Sequence, residues 1–239
     1  MVKKINMNNI RKSLRISKQL CTNSKITKPI KYKKPNIPAY AKPKFSENKD
    51  KTNEKLSNIA NRNLCVNKLN KRDITLLCFD YKKQKTSNKL ILDGITTKNN
   101  ILLIENNDEV YQNHILSGFN CLFGECKNLL PNYNFSPYDI IYLDAVSSVD
   151  TVSKMIFDAF NHIIKKNNMT KCIFGYTFAK RCRVKGETFD SKNQKFYKTF
   201  NALLKKSGYK ITDSDENSYG SPITGQAAMF TKILCINKK

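Results

Sequence analysis

The chain has 239 residues and a formal net charge of +24, from 43 Lys and Arg side chains against 19 Asp and Glu side chains. This length allows a moderate domain with an appendage, and no apolar run approaches the roughly 18 residues of a membrane-spanning helix. The eight cysteines form no CxxC pair, so neither a structural zinc nor another metal site is expected. These features indicate an intracellular protein, cytoplasmic or nuclear, with reduced cysteines and no membrane partner.

The positive charge is concentrated near the N-terminus. Residues 1–70 contain 18 basic and three acidic side chains, so they carry more than half of the net charge. Lysines near phosphates release condensed counterions, which favours nucleic acid, RNA or DNA, as the partner. The alternative is that the richness in Lys, Asn and Ile reflects an AT-rich genome and that the lysines only keep the chain in solution.

The stretch KPIKYKKPNIPAYAKPKF, residues 28–45, sets four prolines among lysines. Proline at this density blocks helices and central strands, and like charges repel, so we predict a flexible basic arm over residues 1–70. The candidate nucleic-acid-binding residues of this arm are Lys28, Lys31, Lys33, Lys34, Lys42 and Lys44.

From residue 72 onward, short apolar runs alternate with longer polar or amphipathic ones, which is typical of strands joined by helices. The apolar runs predict strands over residues 74–81, 89–94, 100–107, 119–125, 138–144, 171–178, 209–212 and 227–237. Helical spacing predicts helices over 147–167 and 195–207, the second ending before Gly208. The pattern favours an α/β domain over residues 72–239, with a doubly wound, mostly parallel Rossmann-like sheet.

Four successive predicted strands end on a carboxylate. The residues are Asp93, Glu105, Glu125 and Asp144. One such acid is often the cap of the next helix, but four in succession indicate a ligand site, because the carboxyl ends of parallel strands meet at one edge of the sheet. Carboxylates there suit a ligand with hydroxyl and amine donors, such as a nucleoside.

The order LILDG, ILLIENNDEVY, FGECKNLL, YDIIYLDA, CIFGYTF and KKSGYKI, followed by AAMFTKILCI, resembles class I S-adenosylmethionine-dependent methyltransferases over residues 90–237. The resemblance implies an antiparallel C-terminal strand and S-adenosylmethionine as the cofactor. It also implies that Glu105 holds the ribose hydroxyls, Glu125 faces the adenine amine and Asp144 lies near the methionine moiety or the substrate. Asp93 and Gly94 stand where the family's first strand turns towards the cofactor.

The first turn departs from the family. There the first strand leads into a glycine-rich turn that lets the backbone approach the cofactor, but no two of the eight glycines here are closer than five positions. Only six residues separate Gly94 from Ile101, too few for a crossover helix. The sequence therefore predicts either that the first helix is lost or that KLILDG pairs differently.

The residues that follow the predicted strand YDIIYLD, residues 138–144, narrow the chemical class of the methyl acceptor. DAVSS lacks the Asn-Pro-Pro or Asp-Pro-Pro of amino-group methyltransferases, and no Pro-Cys for cytosine C5 chemistry follows. Transfer to a ribose oxygen remains, which the resemblance associates with a Lys, Asp, Lys, Glu set that deprotonates the hydroxyl. Asp144 and Lys180 are the candidate catalytic residues, with Glu187 or Glu216 as the acid and Lys89 or Lys98 as the other lysine.

The expected function is therefore a methyltransferase-like protein that acts on or binds nucleic acid. Arg181 and Arg183, just after a predicted strand, are further candidate nucleic-acid contacts. Two alternatives stay open: a catalytically inactive protein that keeps the fold for binding or structure, and a Mg²⁺-dependent nuclease or hydrolase whose strand-end acids converge on the metal. The sequence predicts no oligomeric state.

Overall fold

The computed structural model describes residues 43–64, 74–145, 147–180, 186–219 and 229–239. The chain divides into two compact units, residues 1–38 and 39–239, and the first lies outside the described residues. Most of the predicted nucleic-acid contacts also lie outside them, and their roles stay predictions: Lys28, Lys31, Lys33, Lys34, Lys42, Arg181 and Arg183.

A seven-stranded sheet forms the centre of the second unit. Its strands are β1 (Leu76–Cys78), β2 (Ile101–Glu105), β3 (Asn120–Phe123), β4 (Ile140–Leu143), β5 (Lys171–Ala179), β6 (Tyr209–Tyr219) and β7 (Met229–Lys238). Their order is β3-β2-β1-β4-β5-β7-β6; β1 to β5 are parallel, and β7 runs antiparallel to both of its neighbours. The predicted α/β class and the antiparallel C-terminal strand are confirmed.

Six α-helices surround the sheet in the described part of the chain. They are α1 (Pro43–Leu64), α2 (Lys85–Leu92), α3 (Asp108–Leu116), α4 (Cys126–Asn132), α5 (Val149–Ala159) and α6 (Phe189–Lys206). A π-helical turn prolongs α5 through Lys165, and a short 3₁₀ turn precedes β2. Gly208 follows α6 with φ +80°, the left-handed conformation that the sequence predicts for a glycine after a helix end.

Helices α4, α5 and α6 cover one face of the sheet and bury most of its aromatic side chains. The ring of Phe160, at the end of α5, meets Phe200 of α6 and Tyr209 of β6 edge to face, at centroid distances of 6.0 and 5.5 Å. Such pairs add about 0.5–1.5 kcal/mol to the stabilisation that burial alone provides. This face is the main hydrophobic core, and it holds β4 and β5 in register.

Helices α1 and α2 pack on the opposite face. Leu56, Ile59 and Ala60 of α1 are fully buried, and they join a cluster formed by the strands beneath. Burial of one Leu or Ile stabilises the fold by about 1.5–3 kcal/mol. Residues 49–64 are thus part of the folded body, a correction to the predicted arm, and Lys44 lies in the first turn of this helix rather than in an extended segment.

The segment KLILDG, residues 89–94, is not a strand. Lys85–Leu92 forms α2, and Asp93 is its C-terminal cap. The prediction was wrong because α2 buries Thr86, Ser87 and Leu90, so its inner face carries only one apolar residue and no helical stripe is visible in the sequence. The first helix is therefore present, and the strand that precedes it is β1.

Candidate active site

We call the region at the carboxyl ends of β1 and β4 the crevice. The chain winds from β1 through β2 to β3 on one side, and from β4 through β5 on the other, so the strand order reverses between these two neighbours. In open α/β sheets, ligands bind at the carboxyl ends of the strands beside such a reversal. The residues at or just past those ends are Asp80, Glu105, Glu125, Asp144 and Lys180.

Asp80 follows β1, and the sequence reading missed it. Its carboxylate accepts hydrogen bonds from the backbone N–H and the hydroxyl of Ser87, at 2.8 and 2.9 Å, in the first turn of α2. Burial raises the pKa of this carboxyl, and the nearby ammonium group of Lys49 opposes the rise. The sequence predicts KLILDG as the first strand and therefore assigns Asp93 to its end. In the structure the first strand is β1, and the acid that follows it is Asp80.

A buried histidine fixes the loop between β1 and α2. His114 Nε2 lies 2.9 Å from the carbonyl oxygen of Asp80, and its Nδ1 lies 3.0 Å from Gln84 Nε2. Since the amide nitrogen of Gln84 can only donate, the ring proton lies on Nε2 and is donated to the Asp80 carbonyl. Gln84 itself has φ +44°, a left-handed conformation that glycine usually takes.

Asp93 and Gly94 do not reach the crevice. They follow the C-terminus of α2, whereas the crevice lies at its N-terminus. Asp93 accepts a hydrogen bond from Ser57 of α1 and pairs with Lys89 at 2.8 Å. The predicted cofactor-binding role of both residues therefore loses the strand-end position on which it depended.

Glu105 ends β2 as predicted. Its Oε1 accepts hydrogen bonds from the backbone N–H groups of Asn106 and Asn107, both at 2.7 Å. Asn107 then caps α3 by accepting from Val110 N at 3.1 Å. The Glu105 carboxylate is thus held in one position at the end of β2 by the loop that it belongs to.

Glu125 follows β3, past Gly124, and begins α4. Its carboxylate pairs with Lys127 at 2.7 Å, and both side chains are at least half exposed. Gly124 N donates to the carbonyl oxygen of Glu105 at 2.9 Å, which ties the ends of β2 and β3 together. Glu105 and Glu125 consequently lie on neighbouring strand ends at the same rim.

Asp144 follows β4 and is paired with a lysine from α1. Lys49 Nζ donates to Asp144 Oδ2, and the two side chains are only 12% and 18% exposed. Lys49 Nζ also lies 3.5 Å from the Tyr142 hydroxyl and 4.9 Å from the centre of its ring. Asp144 is therefore not a helix cap, because Ser148 occupies the N-cap position of α5.

Lys49 is the second residue that the sequence reading missed. Leu56, Ile59, Ala60 and Leu64 recur at helical spacing, and Lys49 lies two turns before Leu56 on the same face. This stripe is a usable signal, but the surrounding lysines and the preceding prolines favoured a flexible arm.

The remaining candidates of the Lys, Asp, Lys, Glu set lie apart from one another. Lys180 follows β5, one strand from Asp144, with Nζ 5.5 Å from the Phe189 ring centre. Glu187 pairs with Lys192 and Glu216 with Lys232, each at 2.7 Å. Of the two lysines proposed as the fourth member, Lys89 pairs with Asp93 and Lys98 donates to the Ser117 carbonyl at 2.9 Å, both away from the crevice.

Two further findings concern the described residues only. No three His, Cys, Asp or Glu side chains come together among them in a way that could hold a metal ion. Within the same ranges, no helix has both the length and the apolar character that crossing a bilayer requires.

Comparison with known proteins shows similarity in structure and none in sequence: no protein-family profile and no curated protein matches the chain. The structure of M. jannaschii TYW2 in complex with S-adenosylmethionine has a TM-score of 0.51 and 11% identity, covering 85% of this chain and 80% of that one. A candidate RNA methyltransferase from Pyrococcus horikoshii has a TM-score of 0.50 and 10% identity, covering 78% and 83%. The chain has the fold of class I S-adenosylmethionine-dependent methyltransferases.

Within the methyltransferase fold, the first loop of this chain is unusual. Residues 79–84, FDYKKQ, stand where the family has its glycine-rich turn, and they contain no glycine. Side chains brace the loop instead: Asp80 binds the first turn of α2, and His114 binds both Asp80 and Gln84. The loop therefore has a fixed shape without the backbone freedom that glycines provide.

Proposed function

We propose that the protein is an S-adenosylmethionine-dependent methyltransferase that acts on a ribose hydroxyl of RNA. The observation that carries this proposal is the contact between Lys49 and Asp144 in the crevice between β1 and β4. A Lys–Asp pair is the first half of the Lys, Asp, Lys, Glu set, and Lys180 follows the next strand. The candidate RNA methyltransferase from Pyrococcus horikoshii among the structural neighbours gives additional support for RNA as the substrate class.

The residues of the rim fit S-adenosylmethionine. A carboxylate can accept about four hydrogen bonds, and the two on Glu105 Oε1 leave capacity for the ribose hydroxyls. Asn53 Nδ2, one turn after Lys49 on α1, is buried and has no hydrogen-bond partner among the described residues. An unpaired buried donor beside a lysine suits a ligand carboxylate, such as that of the methionine moiety. Glu125 is the residue that would face the adenine amine.

The chain's own residues account for the proton in the reaction. S-adenosylmethionine, when bound, supplies an electrophilic methyl group on a sulfonium. The acceptor hydroxyl must lose a proton as it attacks, and Lys49 Nζ in its neutral form can take that proton. Asp144 Oδ2 then stabilises the ammonium group that results, and Lys180, after the next strand, would supply positive charge beside the oxygen once its Nζ leaves the Phe189 ring.

Nucleic-acid binding is assigned to the basic residues outside the crevice. The proposal keeps all of the contacts predicted from the sequence, in the N-terminal segment and after β5: Lys28, Lys31, Lys33, Lys34, Lys42, Lys44, Arg181 and Arg183. Binding of this kind depends on counterion release and is therefore strongly weakened by salt.

A second candidate function is RNA binding without catalysis, by a protein that has kept the fold. The absence of glycine from residues 79–84 favours it, because the family uses that turn to approach the cofactor. The pairing of Asp144 with Lys49 and of Glu125 with Lys127 favours it too, since both acids already have partners.

Cofactor binding separates the two functions. A ligand at about 100 times its Kd stabilises the folded state by about 2.7 kcal/mol, so S-adenosylmethionine and S-adenosylhomocysteine should both raise the Tm by several degrees. Glu105→Ala should abolish the shift. Glu109→Ala is the matched control, because Glu109 is an exposed acid that pairs with Lys82. If neither ligand shifts the wild-type Tm, the enzyme proposal fails.

The acceptor is identified by product analysis. RNA incubated with S-adenosylmethionine labelled in the methyl group should yield labelled 2′-O-methyl nucleosides after digestion, and a DNA strand of the same sequence should remain unlabelled. Label on a base would contradict the ribose assignment and leave the methyltransferase assignment intact.

A further inference from the structure

Three buried hydroxyl groups extend from the Lys49–Asp144 pair into the sheet. Tyr142 of β4 lies 3.3 Å from Thr177 Oγ1 of β5, and Thr177 lies 3.0 Å from Thr231 Oγ1 of β7. All three residues are 0% exposed. They form a row across three neighbouring strands, below the carboxyl ends that border the crevice.

Burying three hydroxyl groups costs free energy unless each one is hydrogen-bonded. Phe in place of Tyr, or Val in place of Thr, would fill the same space without that requirement. At one end of the row, Lys49 donates towards the Tyr142 hydroxyl at 3.5 Å, and that hydroxyl shares a hydrogen bond with Thr177 in which either group can be the donor. The arrangement therefore holds the tyrosine hydroxyl between Lys49 and Thr177.

A glycine in β5 makes room for the tyrosine ring. A Cβ atom at Gly175 would lie 2.5 Å from Tyr142 Cδ2, a separation that side chains do not tolerate. Gly175 pairs with Tyr142 in the register of β4 and β5, and its backbone has no unusual φ that would otherwise call for glycine. Glycine at this position of β5 thus leaves space for the Tyr142 ring, which contacts Lys49.

We infer that Tyr142 is a positioning residue that holds Lys49 Nζ against Asp144. Its ring contributes a cation–π contact at 4.9 Å, and its hydroxyl accepts from the same ammonium group at 3.5 Å. This inference rests on the proposed function, because positioning matters only if Lys49 handles the proton of the acceptor.

Tyr142 acts through Lys49 and is not itself the base. Burial raises the pKa of its hydroxyl, and the charge of Asp144 raises it further, so the phenolate is disfavoured. Among the described residues, the other titratable groups that interact with Lys49 include Asp144, just after the same strand, and Asp80 and Cys78 at the end of β1. All of them remain in place when the tyrosine hydroxyl is removed.

The test compares two changes of the same kind in the full-length protein. Tyr142→Phe removes the hydroxyl and keeps the ring, and Tyr176→Phe does the same to a buried tyrosine that faces the other side of the sheet. We expect Tyr142→Phe to lower kcat about tenfold, with KM for S-adenosylmethionine unchanged. The pH–rate profile should also move to lower pH, because the ammonium form of Lys49 loses an acceptor. Tyr176→Phe should change neither.

A second measurement does not depend on activity. The rate at which acetic anhydride acylates Lys49, followed by mass spectrometry at fixed pH, should rise severalfold in Tyr142→Phe relative to Lys89 in the same molecules. If the labelling rate and the pH profile both match wild type, the inference is overturned. If wild type transfers no methyl group, the proposed function fails, and the labelling rate still decides whether Tyr142 positions Lys49.

Discussion

Asp80 is a buried carboxylate that stabilises the start of α2 although its burial disfavours its own charge. It holds the first turn of α2 through Ser87, yet it is buried and lies within the field of Asp144, which disfavours its charge. Buried acids with a shifted pKa are common at functional sites, for example at sites that bind cations or amines. The stability of the protein should therefore respond to the charge of this one residue.

The predicted effect is a gain of stability when the charge is removed. The folded-state pKa of Asp80 is raised, so the native state binds more protons than the unfolded state, and the contribution of this group becomes less favourable as the pH rises. Asp80→Asn keeps an oxygen that can accept from Ser87, so it should stabilise the protein by about 1 kcal/mol at pH 7. The gain should shrink towards zero near pH 3.5, below the unfolded-state pKa of about 3.9.

Urea unfolding at the two pH values measures this effect. Asp150→Asn is the control, since Asp150 is an exposed acid in the first turn of α5 that pairs with Lys192. A loss of stability in Asp80→Asn at pH 7 would mean that the charged contacts to Ser87 outweigh burial.

At the scale of elements, α1 is attached to the sheet by polar contacts as much as by apolar ones. Every second residue at the end of β6 bears an acceptor or amide that meets α1. Arg62 Nη2 lies 2.9 Å from Asp213, Lys55 Nζ lies 2.8 Å from Asp215, and Asn217 Nδ2 lies 2.9 Å from Thr52. Acidic residues of the edge strand β6 thus pair with basic residues of α1. The same helix places Lys49 in the crevice.

This attachment should be sensitive to acid. The hydrogen bond from Arg62 lowers the pKa of Asp213 to about 2, so the pair contributes stability above the unfolded-state pKa of about 3.9 and loses it as the pH falls towards 2. Arg62→Gln should destabilise the protein by about 0.5–1 kcal/mol at pH 7, because the pair is half exposed and screened. The difference from wild type should be largely lost near pH 2, where about half of the Asp213 carboxylates are protonated in the folded state.

Thermal unfolding at pH 7 and at low pH provides the measurement. Lys82→Gln, which breaks an exposed pair with Glu109 on α3, is the matched control and should change stability little at either pH. A difference in Arg62→Gln that persists unchanged in acid would show that Asp213 is not its cause.

Helices α1 and α2, two of the four described helices that the sequence does not predict, share one contributing physical cause. Polar residues share the buried face of each helix: α2 buries Thr86 and Ser87 beside Leu90, and α1 buries Thr52, Asn53 and Ser57 beside its apolar stripe. Hydrophobic periodicity finds helices by their apolar stripe, so helices held by polar contacts escape it. Strands β2, β4 and β5 were found because both of their faces are covered and their sequences are continuously apolar.

The same cause explains which site residues were predicted. Glu105 and Asp144 follow strands that the apolar runs define well, and the structure has both at the carboxyl ends of the sheet. Asp80 was missed because α2 was read as a strand, and Lys49 because α1 was read as part of an arm. The chemistry at the rim was thus visible in the sequence only where it followed well-defined strands.

At the scale of the whole molecule, the boundary between arm and body becomes testable. The second compact unit begins at residue 39, and α1 contributes buried side chains as well as partners for Asp144, Asp213 and Asp215. Removing α1 would uncover the apolar surface beneath Leu56 and Ile59, at about 1.5–3 kcal/mol for each side chain, and leave three carboxylates unpaired. Typical domains have only about 5–15 kcal/mol of net stability, so such a loss approaches the whole.

Two truncations therefore have different expected outcomes. A chain of residues 43–239 should unfold cooperatively, with a Tm within a few degrees of the full-length protein, because it keeps α1. It lacks 12 basic residues, so its affinity for RNA should fall and its dependence on salt should flatten. A chain of residues 71–239, cut at the end of the predicted arm, should lack a cooperative transition. If calorimetry instead finds the shorter chain as stable as the longer one, α1 is an appendage, and Lys49 is not a fixed part of the crevice.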